Sequence, residues 1–130
     1  MTSLTQATIA KDTSVNLFAS PTRQVTPSAK KLATGLTGSY AIGFPLKQGA
    51  DADTVTPVTA AADQVVAVLG EAVADASTAT IVCVYEEGNF NKYTVQAALT
   101  ARSVAVTTAD MAVKARMKGI DFSDVIKGGE

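Results

Sequence analysis

Few side chains in this 130-residue sequence could do chemistry, and histidine is not among them. Without His the commonest general base, metal ligand and triad member is missing, so acid–base work would fall to carboxylates, lysines or one thiol. The acids include two close pairs. Asp51-Ala52-Asp53 opens like a calcium loop, in which alternating oxygens wrap a hard cation, but such a loop needs Gly at position six and Glu at position twelve. Thr56 and Ala62 stand there, so these acids read as a solvated loop. Glu86 and Glu87 are adjacent, and neighbouring side chains of an extended chain point to opposite faces. They cannot share one substrate, and they read as the charged tip of a turn.

The remaining candidates are weaker. Ser28-Ala29-Lys30-Lys31 has the Ser-x-x-Lys spacing of acylating hydrolases, in which the lysine helps to activate the serine. The companion Ser-Asp-Asn and Lys-Thr-Gly tripeptides of that chemistry are absent, and the segment follows Pro27. Gly35-Leu36-Thr37-Gly38 lacks the lysine of a phosphate loop and reads as a turn. Cys83, the only cysteine, sits in the apolar run Ile81-Val82-Cys83-Val84 and reads as a small buried hydrophobe, with no intrachain disulfide open to it. The expectation is a protein that is not an enzyme and carries no metal or cofactor.

These side chains must be held by elements, and charge divides the chain into three stretches. Residues 1–36 carry Lys11, Arg23, Lys30 and Lys31 against Asp12 alone, a local net of +3. They are rich in Ser, Thr and Gln, broken by Pro21 and Pro27, and dotted with apolar residues that follow no helical period. Such a stretch buries too little to offset its ordering entropy alone. It reads as an extended arm that orders on a partner, with Leu4, Ile9, Val15, Leu17 and Phe18 as its anchors. Residues 37–130 are expected to form the folded domain. Within it, residues 37–90 set Lys47 against seven acids, a local net of −6.

The expected fold class is mostly β (α+β), a small mixed domain with one C-terminal helix. Gly38 to Leu46 reads as a short strand ended by Pro45, and Lys47 to Asp63 as an acidic surface loop. Val65 to Val73 reads as a buried strand broken at Gly70. Thr80–Tyr85 and Phe90–Val95 read as a β-hairpin across Glu86-Glu87-Gly88-Asn89. Thr107 and Asp110 open a helix with an apolar stripe at Met111, Ala112, Ala115 and Met117, which Gly119 stops. Ile120 to Ile126 alternates and reads as a last strand, while 96–106 fits either a short helix or a loop.

The net charge of −1 gives no field favouring nucleic acid, and the basic residues of the last helix read as its solvated face. The N-terminus lacks the basic and apolar regions of a secretory signal, and no apolar run approaches the roughly 18 residues that span a bilayer. Reducing cytoplasm is the expected site of synthesis and assembly. The apolar fraction of 47% leans on Ala and Val, with 5% aromatics and no Trp, so the core is thin. A domain of this size gains from oligomerisation, and several arms on one oligomer multiply weak contacts into avid ones.

The run from Val66 to Phe90 resembles the core of the lambda-type tailed-phage head decoration, or capsid cement, family. The likeness rests on the apolar strand with Val68-Leu69-Gly70, the connection rich in Ala, Asp, Ser and Thr, the strand ending at Tyr85, and Gly88-x-Phe90. The order of a polar leading arm, a final helix and an Ile-containing strand also fits. The resemblance implies a homotrimer on the outer surface of the virion head, bound to a major capsid protein of HK97-type fold. It implies a mechanical role, stabilising the expanded shell, without nucleic acid or membrane as partner. Other readings are a different virion β module (tail-tube, head-completion or fibre-associated) or a carbohydrate-binding module.

Overall fold

In a computed structural model, which describes residues 17–19 and 25–124, the chain is mostly β with two helices. Five strands close into a barrel: β1 (Ser28–Leu32), β2 (Pro45–Gln48), β3 (Thr54–Pro57), β4 (Ala67–Leu69) and β5 (Ile81–Tyr85). Around the barrel the order is β1-β3-β2-β4-β5 and back to β1. Only the β1–β3 pair is parallel, with Lys31 beside Thr54 and Leu32 beside Val55. β1 runs antiparallel to β5 on its other side, from Ser28 beside Val84 to Lys31 beside Ile81. A second unit packs on the barrel: β6 (Gly88–Asn91), α1 (Lys92–Ala101), α2 (Thr108–Arg116) and β7 (Ile120–Ser123). β6 and β7 pair in parallel, joined by the two helices, as parallel strands require a long crossover.

The elements follow from their residues. β4 is buried on both faces, so Ala67-Val68-Leu69 reads as a continuous apolar run rather than an alternating one. Gly70 follows it at a close approach, where a Cβ would sit 2.8 Å from the Tyr85 ring and 3.2 Å from the Cys83 Sγ. α1 starts at Asn91, whose side chain accepts from the Tyr93 N–H at 3.0 Å, and buries Thr94, Val95, Ala98 and Leu99 along one face. α2 starts with a capping box: Thr107 Oγ1 accepts from Asp110 N–H at 3.2 Å and the Asp110 carboxylate from Thr107 N–H at 3.0 Å. It stops where Gly119 takes a φ of +80°. Barrel, small sheet and helices share one core centred on Phe44, Leu46, Leu69, Phe90, Leu99, Met111 and Ile120.

Four expectations change. Pro45 begins β2 rather than ending a strand, since a residue without an N–H is tolerated at the first ladder position. The acidic stretch 47–63 contains β3, because Val55 and, just after it, Val58 are fully buried and pull the chain into the barrel. There is no hairpin across Gly88: β5 belongs to the barrel and β6 to the small sheet, and the chain turns helical at Lys92. The β-branched look of Tyr93-Thr94-Val95 yields to the 3.6-residue period that buries Val95, Ala98 and Leu99. The span left open at 96–106 is thus the rest of α1 and its connection to α2.

The arm also changes. An arm boundary at residue 36 would cut through the barrel, because β1 lies inside 1–36 and fills the slot between β3 and β5. Leu17 and Phe18 are not arm anchors facing a partner. Leu17 is buried, Phe18 bridges Phe90, and the Ala19 N–H donates to Asn89 O at 2.9 Å while the Asn91 N–H donates to Leu17 O at 2.8 Å. The Phe18 ring stacks on Phe90 at 5.2 Å and meets Tyr85 edge-on at 4.9 Å. Leu4, Ile9 and Val15 lie outside the described residues.

Replacing Leu17 with Ala will lower unfolding stability by about 2–4 kcal/mol, the usual cost of a cavity at a buried leucine. Urea unfolding followed by circular dichroism reads it, and a neutral Leu17→Ala would contradict the packing of residues 17–19.

Candidate functional site

The residues singled out for chemistry are spread over the barrel surface and do not converge. Asp51 builds its own turn: its carboxylate accepts from the Asp53 N–H at 2.9 Å and from Thr54 Oγ1 at 3.0 Å. These bonds, the Asp53 N–H first, hold its carboxyl below the usual carboxylate range. Its oxygen thus shapes the entry into β3. Ser28 and Lys31 both lie on β1 three positions apart, which in an extended strand puts hydroxyl and ammonium on opposite faces. Cys83 is partly exposed on β5, beside a hollow whose walls carry Glu71 and no cation, the reverse of the electropositive setting of reactive thiols.

Two regions do bring side chains together. At one, Lys30, Gln48, Thr54, Glu86 and Lys118 rim a hollow of about 240 Å³. Lys30 Nζ donates to Ala52 O at 3.2 Å and stands 3.8 Å from Glu86 Oε1. Glu86 is therefore turned to a lysine of β1. The sequence hid that pairing because 56 residues separate the two.

The second region mixes apolar and polar side chains. Ile81 stands 56% exposed on β5 opposite Lys31 of β1, beside a hollow of about 270 Å³ against Pro27, Ala29 and Cys83 and another of about 330 Å³ against Lys31, Ala33, Thr34, Ala76 and Thr80. Elsewhere, Val113 on α2 and Met117 at its C-cap are exposed about one turn apart, although Met111 and Ala115 on the other side of α2 are buried. The expected stripe of Met111, Ala112, Ala115 and Met117 therefore divides, with Met117 facing out. Of the aromatic side chains, Tyr40, Phe44 and Phe90 are buried, Phe18, Tyr85 and Phe122 are packed against the core, and only Tyr93 is largely exposed. A stacking platform for a sugar ring needs exposed aromatic faces.

The acid most firmly held is Asp63. One of its carboxylate oxygens receives Lys47 Nζ at 3.0 Å and the N–H groups of Thr59 at 2.9 Å and Ala60 at 3.0 Å. Desolvation works to raise its pKa, but these three donors outweigh it and the carboxyl lies below its ordinary value. The group ties the 59–63 turn to β2, and that turn carries Ala62, whose carbonyl accepts Lys114 Nζ of α2 at 2.5 Å.

Among the described residues no three His, Cys, Asp or Glu side chains converge, and no helix is long and apolar enough to cross a membrane. Set against known families and characterised proteins, the chain matches no family model and no curated protein.

Because the folded-state pKa of Asp63 is depressed, its contribution is present above the unfolded value near 4 and is lost as pH falls through the folded value. Asp63→Asn will therefore cost about 1–2 kcal/mol at neutral pH, and the gap to the parent will close at acid pH. Thermal melts of the two proteins between neutral and acid pH measure it. A gap independent of pH would remove the charge from the account.

Proposed function

We propose that this chain is a non-enzymatic structural protein, a head decoration protein that binds the outer surface of a tailed-phage capsid as a homotrimer and stabilises the expanded shell. The observation that carries this reading is where the resembling run falls. Residues 66–90 form the contiguous path β4, connection, β5 and the first part of β6, and hold Val68, Leu69, Val82, Val84 and Phe90 of the core. The resemblance thus concerns the part of the chain that builds the fold.

Two further features support it. The barrel is closed, so its strands have no free edge for a partner strand, and contacts with the barrel come through side-chain faces. The capsid-binding segment consequently contracts to 1–16, with Leu4, Ile9 and Val15 as its apolar anchors. The aromatic side chains are mostly spent in the core, which disfavours the carbohydrate-binding alternative. The partner is a major capsid protein of HK97-type fold, and the role is mechanical bridging of neighbouring capsomers at the virion surface.

The test uses expanded and unexpanded shells of the phage whose genome carries this gene. The full chain will co-sediment with expanded shells and add threefold protrusions in negative stain. The variant lacking residues 1–15 will stay folded and bind at least about tenfold more weakly, or ~1.4 kcal/mol. Equal binding by the truncated chain would remove the leading segment from the interface. No binding of the full chain to expanded shells would end the proposal, and binding to tails instead would favour a different virion module.

A further inference from the structure

We propose that the outer edge of β7 receives, as an added strand, the leading segment (residues 1–16) of a neighbouring copy of this chain. The ladder fixes which groups that edge offers. Gly88 N–H donates to Gly119 O at 3.0 Å, and β6 and β7 pair in parallel from Gly88 beside Ile120 to Asn91 beside Ser123. That register turns the N–H groups of Asp121 and Ser123 towards β6, and the N–H and C=O groups of Ile120 and Phe122 away from it. β6 is filled on its other side by Leu17 and Ala19, but among the described residues β7 pairs with no strand except β6. Ile120 is buried, whereas residues 121–124 are half-buried or exposed, so an incoming strand can reach the edge there. Outward ladder groups of this kind are a template for another chain.

The same chain's own leading segment is badly placed to fill that edge. It joins the fold at Leu17, on the far side of β6, and Gly88, Phe90 and Asn91 of β6 are buried, so β6 offers no open face to cross. The equivalent edge of a neighbouring copy carries no such obstacle. Sixteen residues precede Leu17 and extend to at most about 50 Å, far enough to reach an adjacent domain.

The composition of the segment suits strand addition. Residues 1–16 hold neither Pro nor Gly, so every N–H from Thr2 to Asn16 is open to a ladder. Thr2, Thr5, Thr8, Ile9, Thr13 and Val15 are β-branched, and residues 1–10 bear no charged side chain to oppose Asp121 or Asp124 at the edge. Pairing uses the backbone, so one row of side chains stays free. Ile9 and Val15, an even number of residues apart, share that row in an extended chain and remain available to the shell. Each copy gives a segment from one side of its small sheet and receives one on the other. The contact is therefore heterologous, and it closes into a ring or continues.

This inference rests on the homotrimer of the proposed function, and its test is run on the free full-length protein so that failure here is separable from failure to bind shells. Sedimentation velocity will show the parent chain associated. The triple variant Thr8→Pro/Ile9→Pro/Ala10→Pro, which removes three successive donors, will dissociate at least tenfold more readily. Thr8→Val/Ala10→Val keeps every donor and will associate at least as tightly as the parent. Amide hydrogen exchange followed by NMR locates the contact: the Phe122 N–H will exchange at least tenfold more slowly in the associated parent than in the proline variant. The Asp121 and Ser123 N–H groups, bonded to β6, will stay protected in both and report that the fold is intact. A parent chain monomeric up to about 1 mM, association indifferent to the prolines, or a freely exchanging Phe122 N–H in the associated parent would each overturn the pairing. A Phe122 N–H protected in a monomer would overturn it too, giving the edge to the chain's own segment, and protection gained only on shells would give it to the coat protein.

Discussion

The slot between β3 and β5 is the constraint on which the barrel depends. β2, β3, β4 and β5 make a four-stranded sheet whose two outer strands each expose a row of backbone donors and acceptors. β1 satisfies both rows at once, parallel to β3 through Lys31 and Leu32 and antiparallel to β5 from Ser28 to Lys31. The ladder continues past it, with the Ala33 N–H donating to Val55 O at 2.9 Å and the Leu32 N–H to Thr80 O at 2.9 Å. A sheet so short and so poor in large side chains needs that closure, because an open edge would cost hydrogen bonds that its thin core cannot offset. Closure in turn sets how the barrel itself can be bound: by side-chain faces, not by strand addition.

The barrel and the helical unit are joined by a small aromatic cluster. Phe18, Tyr85 and Phe90 come from a leading segment, the end of β5 and β6, and their rings lie within 4.9 to 6.4 Å of one another. A second junction is Arg102 at the end of α1. Its guanidinium lies 4.0 Å from the centre of the Tyr40 ring and donates to Tyr40 Oη at 3.0 Å, and Tyr40 in turn meets Phe44 edge-on. Six of the seven aromatic residues are used in such internal contacts, so a chain with few aromatic side chains keeps nearly all of them for cohesion rather than for recognition.

The functional reading rests on surfaces rather than on a reactive centre. Three of the acids have partners within the fold: Asp51 in its own turn, Asp63 with Lys47 and two backbone donors, and Glu86 with Lys30 across to β1. What the fold leaves outside is apolar side-chain area at Ile81, Val113 and Met117. Exposed aliphatic side chains beside hollows or along one helix face are the form that protein–protein contacts take. That distribution accords with a protein that works by holding to other copies and to a lattice.

Local signals in the sequence determined the parts that depend on neighbours in the chain. Thr107 and Asp110 announced α2, Gly119 its end, Ile120 the last strand, and Gly70 the break after an apolar run, because caps, positive φ and close backbone approach are properties of a few adjacent residues. The β-rich class was legible for the same reason, in the β-branched runs at 65–69 and 80–85. Tertiary structure alone decided which strands are partners. It drew Ser28–Leu32 out of a polar, lysine-bearing stretch because a slot flanked by two unsatisfied ladders outweighs composition. It made Tyr93–Val95 helical because Val95, Ala98 and Leu99 share one buried face, and it buried Leu17 and packed Phe18 against β6. No residue spacing could show that Ile81 would stand outside and Val82 inside, since the face that a strand turns to the core is settled by closure of the barrel and not by the strand.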